Sequence, residues 1–316
     1  MIEIIHGELS NMLPQCFESC LMEPESLRET GIRRTGRICG KFQNSFNVEF
    51  SAMQNNGETS FLLHVGSLSR PLCCFGLSVA AEEMERLLLS CEEGSAVTFK
   101  CGKLMVYGRG VQFRMDLADR AGFKRKNLRI KENGISGVST AAGLKTEYEN
   151  GIFGLLKREI EGGGWQGRMG LSWDNDFRKY AAVLAGRSGA ADKQKAAVYF
   201  AGRGRGLTPG GDDILLGYAA VMKAAGQEEV FSLSEYLPLQ LRLGTTAVSR
   251  AYFRALDDGF VNEDFRDFLL CIFEGGENRA EEVIKRIKGL GHTSGHDTLF
   301  GAYLALIRLI EQDRKE

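Results

Sequence analysis

The spacing of hydrophobic and polar positions changes near the middle of the chain. From residue 34 to residue 115, short segments alternate with the period of two that is typical of half-buried strands. A turn signal, Asn55-Asn56-Gly57, predicts a hairpin, and one helical pattern at 80–90 interrupts the strands. Short strands with one helix predict a small antiparallel barrel or sandwich. The predicted strands are 46–50, 60–65, 96–99, 104–107 and 111–115.

After residue 145 the period becomes that of amphipathic helices, and no strand pattern is evident beyond residue 120. The predicted fold class is therefore α+β, with an antiparallel barrel-like or sandwich-like domain followed by an all-α helical bundle. A short helix is also predicted at 8–20, interrupted by Pro14. The later predicted helices are 148–160, 176–185, 191–200, one from Thr208, 234–243, 247–256, 262–273, 279–287, and one from Thr293 to about residue 312.

The change of period gives domains at 1–120 and 146–316, joined by a connector at 121–145. Basic residues and then glycines mark this region, which is either a solvated linker or a basic flap that reaches an anionic ligand or a partner subunit. The basic cluster begins with Arg120, at the end of the first predicted domain, and the markers within the connector are Lys124, Arg125, Lys126, Arg129, Lys131, Gly134, Gly137 and Gly143.

Composition narrows the class of protein. The 316 residues carry a net charge of −1, which argues against nucleic acid as the main partner. No apolar run reaches the ~18 residues of a membrane span, and residues 1–6 lack the pattern of a signal peptide. We expect a cytoplasmic protein, in which the eight cysteines are small core residues rather than metal ligands or redox centres.

Residues 203–218 contain the most distinctive sequence of the chain. Thr208 is predicted to cap a helix, with Pro209 in the first helical position. Asp212 and Asp213 suit the positive end of the helix dipole. Two glycines follow Pro209, although each costs about 1 kcal/mol against alanine inside a helix. Such glycines favour the close approach of a ligand to the backbone, and an anion is the usual ligand at a helix N-terminus.

A second copy of this motif lies at 291–303 and aligns without gaps on 206–218 at an offset of 85 residues. We predict that the two helix starts lie side by side at one shared cleft, with Asp212 facing Asp297 and the pKa of at least one aspartate raised. The alternative is two ordinary capped helices. The matching residues are Gly206 with Gly291, Thr208 with Thr293, Gly210 with Gly295, Asp212 with Asp297, and Tyr218 with Tyr303.

A third segment, residues 244–249, places three hydroxyls at a predicted helix start. Thr245 and Thr246 are suitable caps, and together with Ser249 they also suit hydrogen bonding to a small polar substrate. Both interpretations remain open from the sequence.

These three motifs, in this order, resemble the family of AllH, the H subunit of oxamate carbamoyltransferase, an enzyme of anaerobic allantoin breakdown. The resemblance covers about residues 202–306 best. It implies phosphorolysis of oxalurate to oxamate and carbamoyl phosphate, or the reverse, by a heteromeric cytoplasmic transferase of purine catabolism. The implied partners are other carbamoyltransferase subunits and small anionic substrates, without nucleic acid or membrane.

Carbamoyl transfer needs an anion pocket and donors for the oxygen that becomes negative. The amides of the helix starts are candidate donors, the arginines can clamp an anion, and the histidines can move a proton. The candidate catalytic residues are His296, His292, Asp212 and Asp297. The candidate substrate-binding residues are Arg203, Arg205, Thr208, Gly210, Gly211, Thr245, Thr246, Ser249, Thr293, Ser294 and Gly295.

Two other functions are compatible with these residues. Asp212, Asp213 and Asp297 supply enough oxygen ligands for Mg²⁺, which favours an all-α magnesium hydrolase or phosphotransferase, by analogy with the ADP-ribosylglycohydrolase type. A non-catalytic subunit that docks its glycine-rich surface on a partner is the second alternative.

Overall fold

A computed structural model of the chain describes residues 1–13, 34–54, 57–117, 122–130, 151–274 and 277–313. The chain divides into two compact units, Met1–Leu128 and Arg129–Glu316. Among the described residues, the first unit contains the strands and one helix, and the second contains helices. The predicted α+β class, with strands before helices, is therefore confirmed.

The first unit is built on one sheet of ten strands. Its helix, α1 (Ala81–Ser90), confirms the predicted element. The strands are β1 (Ile2–Ile4), β2 (Gly7–Ser10), β3 (Arg34–Lys41), β4 (Ser45–Gln54), β5 (Gly57–Ser67), β6 (Gly76–Val79), β7 (Ala96–Lys100), β8 (Lys103–Gly108), β9 (Val111–Asp116) and β10 (Phe123–Lys126).

The sheet is mixed, so the prediction of a purely antiparallel arrangement is wrong. The strand order is β1-β9-β8-β7-β3-β4-β5-β6-β2-β10. β4 and β5 form the predicted antiparallel hairpin, whose turn residues Asn55 and Asn56 lie outside the described part of the chain. The pairs β1–β9, β2–β10 and β5–β6 are parallel. Parallel pairs join segments that are not hairpin neighbours, and a local alternation pattern does not encode them.

The sheet is curled because two consecutive strands lie at opposite ends of its order. Only Ile5 and His6 separate β1 from β2, yet β1 is an outer strand and β2 is next to the other outer strand. The curled sheet encloses a core whose Val48, Leu63 and Val106 are fully buried.

Two segments of the first unit differ from their predicted structure. Residues 8–10, predicted as part of a helix, belong to β2, which pairs with β6 and β10 and in which Gly7 packs against the Ser78 carbonyl and the Phe123 ring. Residues 123–126, predicted as connector, form β10, which buries Phe123 and exposes Lys124 and Arg125. Residues 14–20 and most of the predicted connector, including its three glycines, lie outside the described residues.

The helices of the second unit follow the predicted positions closely. One predicted helix, 234–243, is two short helices, because Pro238 cannot continue the first of them. The helices are α2 (Ile152–Glu161), α3 (Asn175–Ala185), α4 (Ala190–Phe200), α5 (Gly210–Ala224), α6 (Leu233–Tyr236), α7 (Leu239–Gly244), α8 (Ala247–Asp257), α9 (Glu263–Phe273), α10 (Glu277–Lys288) and α11 (Ser294–Asp313), with a 3₁₀ turn at Gln166–Arg168.

Helices α5 and α11 pack against each other in the core of the second unit. Glycines bring their backbones close, since a Cβ on Gly217 would lie 2.0 Å from the Thr298 carbonyl oxygen. A Cβ on Gly301 would lie 2.0 Å from the Ile214 carbonyl oxygen. This crossing fixes the two helix starts relative to each other.

Candidate functional site

The loop before α5 approaches the helix through glycines in the left-handed region. Gly202, Gly204 and Gly206 have φ values of +67°, +117° and +102°. The helix begins at Gly210, and the Pro209 carbonyl accepts from the amides of Asp212 and Asp213. The predicted capping role of Thr208 is therefore wrong, because Pro209 occupies the cap position and frees the Thr208 hydroxyl for another partner.

That partner lies in the second motif. The Thr208 hydroxyl is 2.8 Å from the Ser294 hydroxyl, in the first turn of α11. The starts of α5 and α11 therefore lie side by side, as predicted.

The third motif, residues 244–249, contacts the first motif. Thr245 donates its hydroxyl to Asp212 Oδ2, and Thr246 donates its hydroxyl to the Leu207 carbonyl. Thr246 also caps α8, since its oxygen accepts from the Ser249 amide at 3.0 Å. The Ser249 hydroxyl is fully buried and has no hydrogen-bond partner in the described part of the chain. Thr245 and Thr246 thus both bind the first motif, and Thr246 also caps α8.

Asp212 and Asp297 are each bound by a loop amide. Asp212 Oδ1 accepts from the Gly202 amide at 2.7 Å. Both oxygens of Asp297 accept from the Gly170 amide at 3.1 Å. A Cβ on Gly210 would lie 2.8 Å from Asp297 Oδ2, so the carboxylate of the second motif rests against the backbone of the first.

The two helix starts are related by an offset of 84 residues, and the predicted offset of 85 is wrong for the packing. α5 begins at Gly210 and α11 at Ser294. A Cβ on Gly211 would lie 1.9 Å from the Phe200 carbonyl oxygen, at the end of α4. A Cβ on Gly295 would lie 1.8 Å from the Ile287 carbonyl oxygen, near the end of α10.

The crossing glycines, Gly217 and Gly301, obey the same offset. Asp213, and not Asp212, is therefore the counterpart of Asp297. The packing of α5 and α11 has approximate twofold symmetry, and Asp213 and Asp297 are its related acids.

Burial raises the pKa of both acids. It raises the pKa of Asp213 well above its usual value, and the nearby Asp297 carboxylate raises it further, against the hydroxyls of Ser294 and Thr208. Asp213 Oδ2 has no hydrogen-bond partner among the described residues. Burial also raises the pKa of Asp297 to about 6, against the hydrogen bonds from Gly170 and Thr293. The pKa of Asp297 is raised, as predicted from the sequence, but the cause is burial and not the expected repulsion between Asp212 and Asp297.

Most of the predicted anion-binding amides already have backbone partners. The Gly211 amide donates to the Arg203 carbonyl, the Gly295 amide to the Leu290 carbonyl, and the His296 amide to the Thr293 carbonyl. A Cβ on Gly204 would lie 2.7 Å from the Gly210 nitrogen, so the loop itself packs against this amide. The glycines therefore serve close packing of the backbone, which explains them without a bound anion.

The predicted charged residues have different environments. Arg203 and Arg205 are exposed, and the Arg203 guanidinium lies 4.1 Å from the centre of the Tyr199 ring while its Nε donates to the Tyr199 carbonyl. His292 is exposed, whereas His296 is only 6% exposed.

The geometry gives no support to the predicted magnesium site. No group of three or more His, Cys, Asp or Glu side chains in the described part of the chain is arranged to hold a metal ion. Asp212 and Asp297 accept from protein donors instead, which leaves fewer oxygen lone pairs for a cation.

Sequence reasoning missed the segment 165–170, which adjoins the start of α11. Gly170 binds Asp297, and the Trp165 ring lies 4.9 Å from the His296 ring in an edge-to-face arrangement. Gly202, which binds Asp212, was also missed. One signal was available, because both tryptophans of the chain, Trp165 and Trp173, lie in one short stretch that contains Gly167 and Gly170.

The three motifs of the helical unit therefore contact one another at the starts of α5 and α11. Residues 200–306 match the family model described as oxamate carbamoyltransferase subunit AllH, which confirms the resemblance expected from the motifs. No solved structure matches the chain significantly. None of the helices that the structure describes is long and apolar enough to cross a membrane.

Proposed function

We propose that this chain is a subunit of a carbamoyltransferase that acts on oxamate and carbamoyl phosphate, or on oxalurate and phosphate in reverse. One observation carries the proposal: the family match at 200–306 spans all three motifs that converge at the starts of α5 and α11. We place the reacting groups at this junction.

In the proposed reaction, the amide nitrogen of oxamate forms a bond to the carbamoyl carbon. The bond from that carbon to the phosphate oxygen breaks, phosphate leaves, and the nitrogen gives up one proton. Asp297 is a suitable acceptor for this proton, because a pKa of about 6 makes its ionised form available near neutral pH. In this proposal the Ser294 hydroxyl turns from its partners Thr208 and Asp213 to donate to the carbamoyl oxygen.

Asp213 has a complementary role in this proposal. Burial raises the pKa of Asp213 well above that of an ordinary aspartate, and the neighbouring Asp297 carboxylate raises it further, so the protonated form of Asp213 is favoured relative to an exposed aspartate. A neutral carboxyl donates a hydrogen bond and does not repel an anionic substrate, which two ionised carboxylates would do.

A second candidate function is a non-catalytic subunit that docks on a partner. The loop before α5 favours it, because Leu207 is 51% exposed and directly follows the exposed residues Arg205 and Gly206. An exposed leucine on a glycine-rich loop suits contact with another protein. This loop is also compatible with the catalytic proposal, in which partner subunits complete the enzyme.

The experiment that separates the two functions is an assay of the chain purified with its partner subunits. Carbamoyl phosphate and oxamate are supplied, and oxalurate and phosphate are measured for the native complex and for Asp297→Asn. The catalytic proposal predicts a loss of about 10²-fold in kcat with the complex intact. An unchanged kcat in the intact variant complex would favour the docking function, and no transfer by the native complex would refute the proposal.

A further inference from the structure

His296 is buried without the hydrogen bonds that a buried imidazole normally makes. It is 6% exposed, and neither Nδ1 nor Nε2 has a partner in the described part of the chain. The Trp165 ring beside it is 4% exposed, and its Nε1 also has no partner there. Buried polar groups are nearly always hydrogen-bonded, so two neighbouring aromatic rings with unpartnered nitrogens indicate a missing ligand.

Two cations, Arg168 and Lys288, and one anion, Glu159, act on the His296 ring. Burial lowers the pKa of His296, and the charges of Arg168 and Lys288 lower it further, against the opposing charge of Glu159. Lys288 and Glu159 form an ion pair at 2.6 Å. Asp297, the next residue after His296, accepts from the Gly170 amide. Arg168 is exposed and belongs to neither of these pairs.

The 3₁₀ turn Gln166–Arg168 directs Arg168 toward the side of the turn on which Trp165 lies. The Arg168 amide donates to the Trp165 carbonyl at 2.9 Å. Side chains three residues apart in a 3₁₀ turn eclipse each other, so Arg168 emerges on the side of Trp165. His296 is in the first turn of α11, and the N-terminus of a helix is favourable for negative charge.

We infer that a small carboxylate binds beside His296, held by the Arg168 guanidinium and by ring N–H groups of Trp165 and His296. This inference rests on the proposed function, in which the ligand is the carboxylate of oxamate or oxalurate. A planar guanidinium matches a carboxylate in two-point fashion. In this arrangement the carboxylate of the substrate is held at Arg168, and its amide end is directed toward Asp297, the proposed proton acceptor.

The inference assigns the anion-clamping role to Arg168 instead of Arg203 and Arg205. Arg203 is held against Tyr199. Arg205 lies in the exposed loop before α5. Arg168 is thus the specificity-determining arginine in this arrangement.

The test is calorimetric titration of the full chain with oxamate, oxamide and inorganic phosphate. Oxamide replaces the carboxylate of oxamate with a neutral amide of the same shape. We expect oxamate to bind, oxamide to bind at least tenfold more weakly, and Arg168→Gln and His296→Asn each to weaken oxamate binding about tenfold or more. The matched control is Arg178→Gln, an exposed arginine on α3, which should bind like the native chain.

The inference is overturned by any of three results. These are no oxamate binding, native affinity in both folded variants, or Arg168-dependent binding of phosphate instead of oxamate. Thermal unfolding midpoints establish that the variants are folded. The carboxylate site and the carbamoyltransferase function can be refuted independently of each other. If the Arg168→Gln complex still transfers the carbamoyl group with an unchanged KM for oxamate, only the carboxylate site is refuted. Arg168-dependent oxamate binding without transfer by the native complex refutes the function alone.

Discussion

At the scale of single residues, the related acids Asp213 and Asp297 make stability depend on pH. A folded pKa of about 6 means that the folded chain keeps a proton on Asp297 that the unfolded chain loses at lower pH. The contribution of Asp297 to the free energy of unfolding should therefore fall as pH rises from about 4 to about 6, by up to ~1.4 kcal/mol per pH unit, and then level off.

Asp297→Asn should reduce this fall, because the amide does not titrate. Urea unfolding at several pH values measures it, with Asp176→Asn, an exposed residue of α3, as the matched control. Equal pH dependence in the native chain and the Asp297→Asn variant would show that Asp297 does not carry the effect.

The sequence identified the acids but paired the wrong two. Identities of Thr, Gly and Asp gave an offset of 85, whereas the packing of Gly211 with Gly295 and of Gly217 with Gly301 follows 84. A sequence alignment maximises the number of identical residues, whereas packing depends on the position of each residue along its helix. Gly170 was beyond prediction because its bond to Asp297 joins positions far apart in the chain.

At the scale of elements, the crossing of α5 and α11 depends on two glycines. Gly217→Ala and Gly301→Ala each place a Cβ 2.0 Å from a backbone carbonyl oxygen of the other helix. The helices must move apart, and we expect each variant to lose roughly 1–3 kcal/mol or more, which outweighs the gain of about 1 kcal/mol in helix propensity.

Urea unfolding midpoints measure this loss. The matched control is Gly189→Ala, at the N-cap of α4, where a Cβ would meet nothing within 4 Å. Similar losses in both crossing variants would support the twofold packing, and native stability in either one would contradict the close approach.

Helices were predictable because long periodic patterns carry strong signals, as α5 and α11 show. The short strands β1, β2 and β10 could not be predicted, because each has only three or four residues and is stabilised by pairing with a strand that is distant in the sequence. Pro238 indicates the break between α6 and α7 in the sequence, but the hydrophobic pattern continues with a helical period across it, so a single helix was predicted.

At the scale of the whole molecule, the first unit extends past the predicted boundary at residue 120. β10 pairs with β2 and buries Phe123, so it is part of the sheet. A fragment of residues 1–128 should unfold cooperatively, whereas 1–120 should be destabilised by the loss of a buried aromatic ring, roughly 3–5 kcal/mol. Circular dichroism during thermal unfolding compares the two, and equal midpoints would place β10 outside the stable unit.

The measurement that most directly tests the central claim is the activity of the assembled enzyme with Ser294→Ala. This change removes the hydroxyl that joins the two motifs, and Ser234→Ala, an exposed serine on α6, is the matched control. If the junction of α5 and α11 is the carbamoyl-transfer site, kcat/KM should fall by about 10²-fold for Ser294→Ala and stay at the native value for Ser234→Ala. Native kcat/KM in a folded, assembled Ser294→Ala enzyme would contradict the claim.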